Sequence, residues 1–313
     1  MARKSSVEGI NVLGKAWGEV KKINWHEVNR LCQENFHIGL MGTDKEIAAM
    51  QAWLRSYPYL VAGHSVKAAA RAAIKDTAQY VTVIAPQDGV FDEKLIKSTT
   101  FCLAGRGMAN EVRRLKGEVF LFDDAENYSL TTQILSNHRE VQFALAHNFP
   151  VFRPELAQSA IQDTAFQNAA WALLSGLPNS VPGPHHLLTA PFEGITDFTI
   201  LTLNEFKLLF ELVGLSGYRV TPLHHLIEFG MIIGLGKLAE TIAINTVGKL
   251  TGRTGIIAKG AIAYAFTWTI GEVIFFYIST GHKLSRDAMT GRFHQHHVRG
   301  KKAVAEMVSE YTH

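Results

Sequence analysis

Between Val7 and Val28 apolar residues recur at intervals of three and four, at Ile10, Leu13, Trp17, Val20 and Ile23, while Lys15, Glu19, Lys21 and Lys22 fill the gaps. That period belongs to an amphipathic helix. Its apolar stripe suits packing on the domain that follows, and its tryptophans and lysines also suit an anionic membrane surface. The pattern then shortens. Phe36 to Met41 reads as a strand, Gly42 as a turn, and Thr43 to Arg55 as a helix. Two further strand-like runs, Tyr80 to Ala85 and Glu118 to Phe122, end at polar or proline-containing turns with Asp88 and Asp123 just beyond. Ala68 to Ala78 and Asp92 to Leu115 include helical stretches, and Thr99 to Ala104 reads as another short strand. Strands alternating with helices predict an α/β domain around a mainly parallel sheet covered on both faces.

After about Phe149 the β-alternation disappears. Pro150 to Gly281 is long, apolar and glycine-rich, which predicts helices, interrupted at Leu177 to Pro184 and at Lys249 to Gly255. Leu226 to Val247 carries Glu228, Lys237 and Glu240 and so is not a free-standing membrane span. Ile256 to Ile278 approaches the roughly 20 apolar residues that cross a bilayer, with Lys259 near one end and Glu272 well inside. Glu272 is expected either as an intramembrane charge or as a partly solvated bundle residue paired with a base such as Lys259 or Lys237. The spacings Gly230 to Gly234 and Gly248 to Gly252 permit close helix approach. Arg286 to His313 reads as a polar, basic tail with a short helix in Ala303 to Tyr311 and a mobile remainder. The expected fold class is therefore α/β plus all-α. A small parallel-sheet Rossmann- or P-loop-like domain (31–149) follows an amphipathic helix (1–30) and precedes an apolar helical domain (150–284) and a His-rich tail (285–313).

The totals narrow the classes. The chain has 313 residues and a formal charge of +3, with 14 histidines spread along it, so nucleic acid is not an expected partner. Cys32 and Cys102 stand far apart, which excludes a disulfide scaffold or thiolate zinc site read from spacing and predicts two buried or idle thiols. Glu8, Lys15 and Glu19 interrupt the first apolar stretch, so no signal peptide is expected and the bulk of the chain is expected in the cytoplasm.

The strand, Gly42 and helix stand where a phosphate-binding loop would sit. Such a loop needs two glycines with four residues between them and then Lys with Ser or Thr, because backbone amides wrap the phosphates and the hydroxyl meets magnesium. Counting from Gly39, Asp44 replaces the second glycine and Glu46 the hydroxyl, which leaves only Lys45 in place. Both acids bring negative charge to the anion's own seat. Thr43-Asp44-Lys45-Glu46 reads instead as a capping box. Asp88, Asp123 and Asp124 are candidate magnesium ligands of a working nucleotidase and, on the plainer reading, turn residues. His294, His296 and His297 invite a metal, but no cysteine or carboxylate cluster stands beside them. His185-His186 and His224-His225 lie near prolines and read as interfacial or capping residues. No Ser-His-Asp order or carboxylate pair stands out, so no catalytic, cofactor-binding or metal-ligating residue is assigned and no cofactor is expected.

The stretches Ala170 to Asn179, Asp197 to Glu205 and Ala258 to Gly271, with Tyr277 and Gly281 after them, resemble the YcjF-like bacterial family of unknown function. The resemblance runs from about Phe152 to Leu284 through apolar and small residues. It implies a membrane-associated helical domain, which in that family often follows an Era-type GTPase domain. The chain departs from an active GTPase in lacking both the Walker Lys-Ser pair and an Asn-Lys-x-Asp motif. The expectation is a non-catalytic scaffold or interaction protein at the cytoplasmic membrane, contacting the membrane surface or bilayer, a protein partner through its front domain, and other copies of itself. The alternatives are a nucleotide-responsive enzyme with an unorthodox phosphate site and a soluble ligand-binding protein.

Overall fold

A computed structural model describes residues 23–57, 77–86, 90–115, 117–123, 127–174, 197–225, 228, 230 and 252–310. They form a mostly helical protein with one small parallel sheet. Several expected features lie outside the described residues: most of the Val7 to Val28 helix and of Leu226 to Val247, the helical Ala68 to Asp76, the break at Leu177 to Pro184, Gly234 and Gly248, Asp88, Asp124, and His185-His186.

The chain divides into two compact units, His26–Gln158 with Val213–Val220, and Ser159–Leu212 with Thr221–His313. In the first, helix α1 (Trp25–Leu31) precedes strand β1 (Ile38–Met41) and helix α2 (Asp44–Leu54). Strand β2 (Val81–Val83), helix α3 (Glu93–Ser98), strand β3 (Phe101–Gly105), helix α4 (Ala109–Val112) and strand β4 (Val119–Phe122) follow. The strand order is β2-β1-β3-β4 and every pairing is parallel, with Ile38 beside both Val81 and Phe101, and Cys102 beside Val119. The central strands β1 and β3 are buried at every position, as continuous apolar runs in a parallel sheet should be. The edge strands are only partly covered, with Val83 and Leu121 exposed.

Helices α5 (Asn127–Asn137) and α6 (Gln142–Asn148) complete the wrapping of this unit. The Arg153 guanidinium is fully buried, and it donates from Nε to the Ala146 carbonyl and from Nη2 to that of His147, both at 2.9 Å. Those are among the last carbonyls of α6, which have no helical partner of their own, and a cation suits that end of the dipole. Residues from far along the chain close the unit. The Asn29 amide clasps the backbone of Val220, donating to its carbonyl at 3.0 Å and accepting its N–H at 2.9 Å. A Cβ on Gly214 would stand 2.7 Å from Val28 Cγ1, so glycine there allows close approach.

The second unit is helical. Helices α7 (Arg153–Leu174), α8 (Asp197–Leu215), α9 (Gly252–Thr280) and α10 (Arg286–Glu310) supply its described residues, with α7 and α8 each beginning or ending in the first unit. Ile257–Thr280 is long and apolar enough to cross a membrane by length and composition, yet 83% of its most apolar window is buried inside the protein, and a core helix meets the same test. Small residues let its neighbours close in: a Cβ at Gly260 would meet Val304 of α10 and Leu173 of α7, and one at Gly300 would meet Tyr264.

Two expectations are corrected here. The polar tail is a continuous helix from Arg286, not a short one from Ala303 with a mobile remainder. Its stripe is narrow, with Phe293, His296, Gly300 and Val304 spaced at three and four along the side that packs on α9, so average polarity conceals it. Glu272 pairs with Arg292 and His296 of that helix, not with Lys259, while Lys237 lies outside the described residues.

The tightest of these approaches yields a test. A Cβ on Gly271 would lie 2.6 Å from Ile161 Cγ1, so Gly271→Ala should cost about 1–3 kcal/mol of unfolding free energy through overpacking. In an Ile161→Ala background, urea titration should find most of that cost gone.

Candidate functional site

In an open parallel sheet, ligands settle outside the carboxyl ends of the strands at the place where the strand order reverses. Here the chain leaves β1 for β2 on one side and returns to β3 on the other, so that place lies between the ends of β1 and β3. Gly42, at φ 150°, turns the chain from β1 into α2 in a conformation that favours glycine. The capping box is present: the Thr43 hydroxyl accepts the Glu46 N–H, while Glu46 Oε2 accepts the Thr43 N–H at 2.9 Å and its hydroxyl at 2.8 Å.

Glu46 does more than cap. Its Oε1 reaches across to the turn after β3 and accepts the Gly107 N–H at 3.2 Å. Gly105 makes room, since a Cβ there would fall well inside contact distance of the Glu46 carboxyl carbon. One side chain therefore bridges both strand ends. The amide of Thr43 and then the Thr43 hydroxyl, with the Gly107 amide, hold this carboxyl below the usual carboxylate range. The half-buried Glu46 thus puts a fixed negative charge where a bound phosphate would need donors.

The other candidates are dispersed. Lys45 is exposed, and Asp123 forms an ion pair at 3.0 Å with Arg106 in the turn after β3. His224 and His225 lie in a 3-10 turn, and His225 Nδ1 is 3.7 Å from Glu228. His294 is exposed, His296 is buried against Glu272 and stacked on Trp268, and His297 stacks on Phe293. Among the described residues no three His, Cys, Asp or Glu side chains converge as a metal site. Cys32 and Cys102 are buried free thiols, and burial pushes both thiols up.

Two constellations were not legible in the sequence. His138 is buried between carboxylates, with Nε2 2.6 Å from Glu118 and Nδ1 3.6 Å from Glu140, and its ring stacks on Phe101. In the helical unit, Asn168 of α7, Asn204 and Glu205 of α8 and Thr267 of α9 form a buried polar knot. Glu205 Oε1 accepts from Thr267 at 2.6 Å and from Asn168 at 3.0 Å, and Asn204 donates to Asn168 at 2.7 Å. Glu205 Oε2 has no hydrogen-bond partner among the described residues. Burial pushes this carboxyl up to about 8, against the pull of Thr267 and Asn168. Its advance sign is the Asn204-Glu205 pair inside a largely apolar helix.

No match emerges from comparison with protein-family models, curated proteins or solved structures.

Glu205 gives the fold a pH signature. Its folded pKa lies above the unfolded value, so folding takes up a proton between about 4.5 and about 8. The contribution is complete below that window and is lost as pH rises through it, with a slope of at most about 1.4 kcal/mol per pH unit. Urea unfolding of wild type and Glu205→Gln at pH 5 and pH 8 should show the variant gaining relative stability at the higher pH. Parallel curves at both pH values would contradict the buried neutral acid.

Proposed function

We propose that this is a non-catalytic interaction protein of the cytoplasmic membrane surface, whose front unit is a nucleotide-binding-type domain that no longer takes a phosphate. The observation that carries this reading is Glu46. Its carboxylate occupies the ends of β1 and β3 and draws on the donors of Thr43 and Gly107 that an anion would otherwise use. The four parallel strands in the order β2-β1-β3-β4, with a turn and a helix directly after β1, support a Rossmann- or P-loop-like ancestry. Lys45, the one residue a Walker loop would share, is exposed and has no ion-pair partner among the described residues.

Membrane association draws support from the YcjF-like resemblance, from the amphipathic pattern of Val7 to Val28 and from the hydropathy of α9. Because α9 is sheathed by protein, we assign the chain to the membrane surface. A protein partner at the front unit and self-association belong to the same proposal.

Calorimetric titration with GTP and with ATP, each with magnesium, should show no binding, and neither nucleotide should be turned over. Binding that disappears in Lys45→Ala would overturn the reading. Glu46→Ala should lower unfolding free energy by about 0.5–2 kcal/mol, the range for a lost cap, which urea titration of the same samples would measure.

A further inference from the structure

Helix α10 is packed on one side and bare on the other. Its bare side exposes Arg299, Lys301 and Lys302, and Arg286 at the helix start and Lys283 just before it are exposed as well. None of these five cations forms an ion pair among the described residues. The exposed acids among its described side chains are Asp287 and Glu306. Amid the cations stands Val298, 70% exposed. Lys301 and Lys302 follow Val298 by three and four positions and His294 precedes it by four, so all four share one helical face.

We propose that this face of α10 docks on an anionic lipid bilayer, with Val298 entering the headgroup boundary and Arg299, Lys301 and Lys302 meeting lipid phosphates. This docking rests on the membrane reading above and gives it a contact surface. Charge complementarity supplies the attraction, and each Lys or Arg near an anionic leaflet adds about fivefold to binding. The apolar centre favours lipid over nucleic acid. A valine ringed by long basic side chains buries itself at the acyl boundary while the cations reach up to the phosphates. Against a nucleic-acid backbone it would be desolvated without gain, and among the described residues this face offers a base no Phe, Tyr or Trp ring, since Phe293 is half-buried and stacked on His297.

The test uses the full chain in flotation with two vesicle types, phosphatidylcholine alone and phosphatidylcholine with about one third phosphatidylserine, at low and high salt. Wild type should float with the anionic vesicles and be released by salt. The Arg299→Ala/Lys301→Ala/Lys302→Ala variant should partition about a hundredfold more weakly, three such steps multiplied, and Val298→Ser should weaken binding without changing the salt dependence. Circular dichroism melting checks that each variant folds, and Lys301→Gln/Lys302→Gln serves if the triple variant does not. If wild type and the charge variants float equally with the anionic vesicles, α10 is not the docking face, although the membrane reading survives. Wild type that floats with neither vesicle defeats both claims. Tighter binding to a duplex RNA than to the anionic vesicles at equal salt, lost in the same variants, would turn the face over to nucleic acid.

Discussion

A helix that is apolar on every side must be covered on every side, and α9 sets that requirement for the helical unit. Twenty-four of its residues, Ile257–Thr280, form a stretch that water would solvate poorly. The chain answers with protein: Ile161 and Leu173 of α7, Glu205 of α8 and Val304 of α10 all reach it. Glycines at 260, 271 and 300 bring these backbones close, which increases dispersion attraction along the seam. Each glycine raises the entropic cost of its own helix, so only the closer packing of the seam offsets it.

The front unit is governed by a different constraint, the need to satisfy backbone donors at the ends of two neighbouring strands. Backbone amides at a helix start and beyond a neighbouring strand are left without partners by the geometry of the sheet. Many α/β proteins fill such a place with phosphate. Here Glu46 satisfies donors from both turns with one tethered group, and Gly105 admits it. The carboxyl and its donors belong to one chain, so an external anion would have to displace it against like charge.

Legibility followed the range of the interactions. Four strands could be read because short apolar runs bounded by turns carry their own signal, and the capping box could be read because Thr43 and Glu46 are three residues apart. The β3 run was the least distinct of the four because it follows directly on α3. What could not be read depends on distant partners. Asn29 looks like any polar helix residue until Val220, 191 positions away, meets its amide. The reach of Glu46 to Gly107 needs the strand order first, and Glu205 gains meaning only when Asn168 and Thr267 face it. The tail was misread for the opposite reason: its stripe is local but narrow, and half of it consists of His296 and Gly300, which hydropathy does not count as apolar.

Two glutamates of the helical unit show how environment decides chemistry. Glu205 is enclosed by neutral side chains, so burial dominates and the acid holds its proton at neutral pH. Glu272 feels burial pushing the same way, but hydrogen bonds from His296 and Arg292 outweigh it and hold this carboxyl below the usual range. Both of those partners come from α10, a helix that exposes Arg299, Lys301 and Lys302 elsewhere on its surface. A helix so charged is very costly to immerse in hydrocarbon. The flank of α9 that bears Glu272 is therefore covered by protein, and for the proposed surface location that ion pair is stronger support than any tally of apolar residues.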